Sequence, residues 1–132
     1  MNLEIGDSEL NATRTTIGAS ASPSAEIVST KSFSNYTSMR YTVEVENTTD
    51  NKRSVFKVSA NSFGGNANFN KYNNISNAAD EKRDVRNTEI ILSSGNVVMT
   101  FVPLANKAYI VRTSEIRIDK PDNVPSDTTI TI

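Results

Sequence analysis

The residues best placed for chemistry are carboxylates. Glu44 and Glu46 sit two apart in a run of alternating polar and apolar residues, so they share one strand face about 7 Å apart. Two carboxylates at that spacing suit glycoside hydrolysis or a calcium ion. The same spacing suits a solvated strand face, because Tyr41, Val43 and Val45 take the opposite face and Lys57 lies across the expected hairpin. Asp80 and Asp84 lack the spacing and the central glycine of a calcium loop. No Gly-x-Ser-x-Gly elbow occurs, and Gly64-Gly65 is not followed by a phosphate-loop lysine. The chain contains no histidine and no cysteine. Triads, thiolate nucleophiles, disulfides and the usual zinc sites are therefore excluded. The expectation is no catalytic residue, no metal and no cofactor, and hence no enzyme.

Basic residues Arg40, Lys52, Arg53, Lys57 and Arg112, with Tyr36 and Tyr72, are the types that bind single-stranded nucleic acid. Acids are nearly as numerous and the net charge is −1, so no nucleic acid is expected. An Asn-rich surface with exposed aromatic rings is also a sugar-binding composition. The four N-x-Ser/Thr matches are what 16 Asn among 30 Ser and Thr yield by chance.

The elements that would position these residues are strands. Asn, Ser and Thr make up 46 of the 132 residues, a composition that favours turns and strand faces over helix interiors. No apolar run approaches a membrane span, so no membrane partner is expected. Residues 1–24 hold isolated apolar side chains without a period and read as an N-terminal arm, with a short strand at Met1–Ile5 as the alternative. Residues 25–118 read as a β-sandwich domain and 119–132 as a C-terminal extension.

Within the domain, strands are expected over 26–33, 39–46, 54–63, weakly around Phe69 and Tyr72, and over 88–92, 97–102 and 107–113. The last is extended to Ile118 after a bend. Residues 76–87 read as one helical turn or a solvated loop. The fold class is all-β: an antiparallel sandwich, jelly-roll or Ig-like, of about seven strands. Its core should hold Tyr41, Val43, Val45, Phe56, Val58, Ile90, Leu92, Val97, Met99, Phe101, Tyr109 and Val111. The net charge is −3 over residues 1–30, +4 over 31–118 and −2 over 119–132, so acidic ends flank a basic middle.

The run Phe33-x-x-Tyr36-x-Ser38-x-Arg40-Tyr41-x-Val43-x-Val45 is similar to a recurring phage motif. So are Phe56-x-Val58, Tyr72, Gly95-Asn96-Val97-Val98-x-x-Phe101-x-Pro103 and Tyr109-x-Val111-Arg112. In order they resemble a small β-sandwich module of virion structural proteins of tailed bacteriophages, of the marine and cyanophage type, over residues 26–113. The family often has a His-containing turn where this chain has Asn61-Ser62-Phe63-Gly64, and residues 77–87 are longer and more charged than usual.

The resemblance implies a structural virion protein assembled in the host cytoplasm. Within that class a capsid decoration or cement role is the leading expectation, because the sequence reads as one compact domain without catalytic equipment and with two extended ends able to lie across neighbours. A neck, tail or fibre-attachment component is the first alternative, and a carbohydrate- or receptor-binding module the second. Its partners would be the major capsid protein, neck or tail proteins, or further copies of itself. Ile130 and Ile132, which alternate with threonines like an added strand, join Leu3, Ile5, Tyr36 and Tyr72 as candidate partner contacts.

Overall fold

The alternation of residues 39–46 is obeyed to the letter in the computed structural model, which describes residues 2–5, 8–32, 37–63, 66–77, 83–93 and 95–119. Met39, Tyr41, Val43 and Val45 are buried, while Arg40 and Thr42 are exposed. The elements run β1 (Asn2–Ile5), β2 (Ser8–Ile17), β3 (Glu26–Ser32), β4 (Thr37–Asn47), β5 (Lys52–Phe63), β6 (Asn66–Ser76), α1 (Arg83–Arg86), β7 (Thr88–Ser93), β8 (Asn96–Phe101) and β9 (Tyr109–Asp119). A six-stranded sheet, in the order β1-β2-β9-β4-β5-β6, faces a three-stranded sheet, β3-β8-β7, and every pairing is antiparallel. The fold is a β-sandwich. β2 pairs with β9 and β3 with β8, so a two-stranded ribbon folds over from one sheet to the other, the winding of a jelly roll.

Local chemistry sets the hairpins. Between β4 and β5, Asn47 accepts the Asp50 amide at 3.0 Å and donates to the Asp50 carboxylate at 3.1 Å. Asn51 then takes the left-handed conformation, φ 54°, which asparagine tolerates. Between β7 and β8, Ser93 opposes Asn96 across a two-residue loop in which Gly95 has φ 77°, the conformation that hairpin turn requires.

The core lies between the sheets. Of the expected core residues, Tyr41, Val43, Val45, Phe56, Val58, Ile90, Val97, Met99, Phe101, Tyr109 and Val111 form one buried cluster, joined by Ile17, Val28, Met39 and Ala60. The Leu92 side chain lies outside the described residues. Phe101 and Tyr109 meet edge to face, ring centroids 5.0 Å apart.

Three expectations are corrected. Nine strands are present among the described residues, against about seven, because residues 2–5 form β1, as the alternative of a short strand at Met1–Ile5 has it, and residues 8–17 form β2 in place of a free arm. β2 runs in register with β9 from Ser8↔Ile118 to Ile17↔Tyr109 and buries Ile17 and Asn11; its Thr13 hydroxyl donates to the Val28 carbonyl at 3.1 Å and accepts from the Thr113 hydroxyl. Its inward face is mostly polar, so hydrophobic periodicity did not reveal it. β9 is continuous through Ser114, with no bend, because β2 and β4 pair with it on both sides. The charged stretch before β7 is partly interior: Asp84 on α1 is buried and accepts the Ser54 hydroxyl at 2.5 Å. Asn35, Gly64-Gly65 and residues 120–132 lie outside the described residues.

Candidate functional site

The large sheet is wider than the small one, and its outward face is open. On β4, β5 and β6 that face is built from three cross-strand rows: Ser38–Asn61–Asn68, Arg40–Ser59–Asn70 and Thr42–Lys57–Tyr72. Alternation explains the set, since the intervening Met39, Tyr41, Val58 and Ala60 are committed to the core. A cleft of ≈ 360 Å³ is lined by the first two of these rows, Ser38, Arg40, Ser59, Asn61, Asn68 and Asn70, with Met39, Ala60 and Phe69 between them; Tyr72 lies beside it and does not line it. The Asn68 amide donates to the Asn61 side-chain oxygen at 3.3 Å, which aligns the two amides.

Tyr72 opposes Lys57, yet its hydroxyl bonds Ser59 at 3.1 Å, two residues further along the same face. The ring therefore reaches along the sheet toward Ser59, and the residue is half-buried.

The other face of β6 overhangs the small sheet. Phe69 remains 41% exposed there. Lys71 donates to the carbonyls of Val85, at 2.9 Å, and Thr88, at 2.8 Å, tying β6 to the end of α1 and the start of β7. A second cleft of ≈ 460 Å³ opens between β6 and α1 and shares Phe69 and Asn70 with the first.

Charge on the outward face is divided. Arg112 on β9 donates to Glu44 and Glu46, both at 2.9 Å, and Arg53 on β5 reaches the same two carboxylates at 3.4 Å. The Arg112 hydrogen bond holds the Glu46 carboxyl below the usual carboxylate range. A glycosidic general acid needs the opposite shift from that of Glu46, and both carboxylates are engaged by guanidinium groups. Arg40 and Lys57 carry no ion pair among the described residues.

A second polar cluster lies in the core. Asn11, Ser29, Thr113, Glu115 and Arg117 are buried around Tyr41 at one end of the sandwich. Burial, with Glu115 nearby, pushes the Tyr41 phenol well above its ordinary value. No group of three or more His, Cys, Asp or Glu able to hold a metal occurs among the described residues. No helix there is long and apolar enough to cross a membrane.

Of the residues expected to meet partners, Tyr72 is in the described face. Leu3 and Ile5 lie on β1, in register with Leu10 and Ser8; their side chains, and Tyr36, Ile130 and Ile132 altogether, lie outside the described residues. The asparagine rows were not singled out from the sequence. Their signal was present as Asn61, Asn68 and Asn70 falling at alternate positions of two strands.

No protein-family model matches this sequence, and no curated protein matches it. Among solved structures, the fold is similar to part of a tailspike protein from Acinetobacter baumannii bacteriophage Fri1, a capsular polysaccharide depolymerase. The identity is 11% and the TM-score 0.50, over 88% of this chain and 19% of that one. The chain thus spans about a fifth of the tailspike, and what the two share is the sandwich fold.

Proposed function

We propose that this chain is a structural β-sandwich module of a tailed-bacteriophage virion, carried in the tail or fibre apparatus and not itself an enzyme. The observation that carries the reading is the fold likeness to a stretch of a phage tailspike over 88% of the chain. It agrees with the phage motifs spread over residues 26–113. Support for a non-catalytic role comes from the lack of histidine and cysteine and from the capture of Glu44 and Glu46 by two arginines. The polysaccharide chemistry of the tailspike belongs to that whole protein and is not carried over.

A capsid decoration role needs two extended ends able to lie across neighbours. With residues 8–17 paired along β9, one of those ends no longer supports it. The partners of this reading are neighbouring virion proteins. The test is mass spectrometry of gradient-purified particles produced from the genome that encodes the chain. Its peptides should band with the particles at a fixed ratio to the major capsid protein. Absence from washed particles overturns the reading.

A further inference from the structure

We propose that the outward face of β4, β5 and β6 is a binding site for an anionic polysaccharide, with Tyr72 as its stacking platform and Arg40 and Lys57 as partners for sugar carboxylates. The inference goes beyond the particle reading and stands on separate observations. The first is the ring of Tyr72. A sugar has an apolar face of C–H groups and a polar rim, and it needs a flat aromatic surface with hydrogen-bonding groups around it. The Tyr72 ring, half-buried and bonded to Ser59 at 3.1 Å, is the aromatic surface this face offers.

The second observation is the frame. Asn61, Asn68 and Asn70 surround the adjoining cleft of ≈ 360 Å³. Each amide offers both a donor and an acceptor, which is what vicinal hydroxyls require. The volume falls within the range of small-ligand sites, ~300–1,000 Å³. β6 is the outermost strand at its end of the sheet, so a polymer is free to run off the edge.

The third is charge. Arg40 and Lys57 flank Ser59 and Tyr72 on this face, while the β4 carboxylates of the same face are held by Arg53 and Arg112. The local field is positive although the whole chain carries −1. A neutral glucan offers these two cations no charge to pair with; a uronic acid polymer does.

The full chain is run in native affinity gels containing sodium polygalacturonate, dextran or neither. Polygalacturonate should retard it and dextran should not. Tyr72→Ala should weaken retardation at least tenfold, and Tyr72→Phe, which keeps the ring, by no more than about threefold. Arg40→Gln and Asn70→Ala, both at exposed positions, should each weaken it several-fold with an unchanged melting temperature. Arg14→Gln removes the same charge on β2 and should leave retardation as in the parent. Migration unaffected by polygalacturonate overturns the proposal. So does retardation that survives Tyr72→Ala, which would mark simple ion exchange, or equal sensitivity of the same variants in binding single-stranded oligo-dT. The assay uses the isolated chain, so its failure leaves the particle reading standing, and absence from particles leaves this one standing.

Discussion

Ile17→Ala separates a sheet strand from a free arm in a single substitution. Ile17 closes β2 opposite Tyr109 and is 7% exposed. Truncating a buried isoleucine to alanine costs about 2–5 kcal/mol, depending on how far the site collapses. Ile17 is the last residue of its strand and keeps a little solvent contact, which places it low in that range, at about 2–3 kcal/mol. For a chain between the small and medium size classes, each kcal/mol moves the melting temperature by roughly 4 °C, so a fall of about 8–12 °C is expected.

Ile27→Ala is the matched control. The same atoms are removed from a side chain that is 60% exposed on β3, and the cost should stay within about 0.5 kcal/mol. Urea denaturation of the parent and both variants, with equal slopes, gives the two differences directly. If Ile17→Ala costs no more than Ile27→Ala, residues 8–17 do not contribute to the folded domain, and the sheet is drawn two strands too wide, since β1 joins it only through β2.

Phe101→Ala removes a fully buried ring and its edge-to-face contact with Tyr109, and should cost about 3–5 kcal/mol in the same assay. The Glu46 carboxyl, held down by Arg112, should titrate below the ordinary glutamate value of about 4.3 in a carbon-detected NMR titration. Because its folded value is depressed, its contribution to stability is present above that unfolded value and is lost as pH falls through the folded one; Arg112→Gln should flatten this acid limb. Tyr41 should stay protonated in an ultraviolet titration well past pH 10, the ordinary tyrosine value. Its raised folded value makes stability fall as pH climbs from about 10 toward that value.

The strands whose buried faces are apolar were legible in the sequence. Tyr41, Val43 and Val45 on β4, Phe56 and Val58 on β5, and Tyr109 and Val111 on β9 reach the core as their period demands. The pattern fails where the interior is polar. β2 turns Asn11, Thr13 and Thr15 inward, and β9 continues into buried Glu115 and Arg117, so apolar counting ends those elements early or misses them. β-propensity carried a weaker signal, through Thr13, Thr15, Thr16 and Ile17.

The outward face was legible as residue types but not as a place. Tyr72 stood out as an aromatic side chain. That its ring lies toward Ser59, beside three asparagines from two strands, depends on the β5–β6 register and on the irregularity between Val55 and Lys57 that sets it. Asp84 shows the same limit in reverse. In sequence it belongs to a solvated charge run, and in the fold Ser54 draws it inside.

Immunogold electron microscopy of intact particles, with antibodies raised against the isolated chain, tests the central claim most directly. Gold on the tail or its fibres, on particles that also infect, is the expected result. Gold spread over the capsid shell would contradict the tail assignment and favour a decoration role, and particles left unlabelled when disrupted as well as intact would contradict a place in the virion altogether.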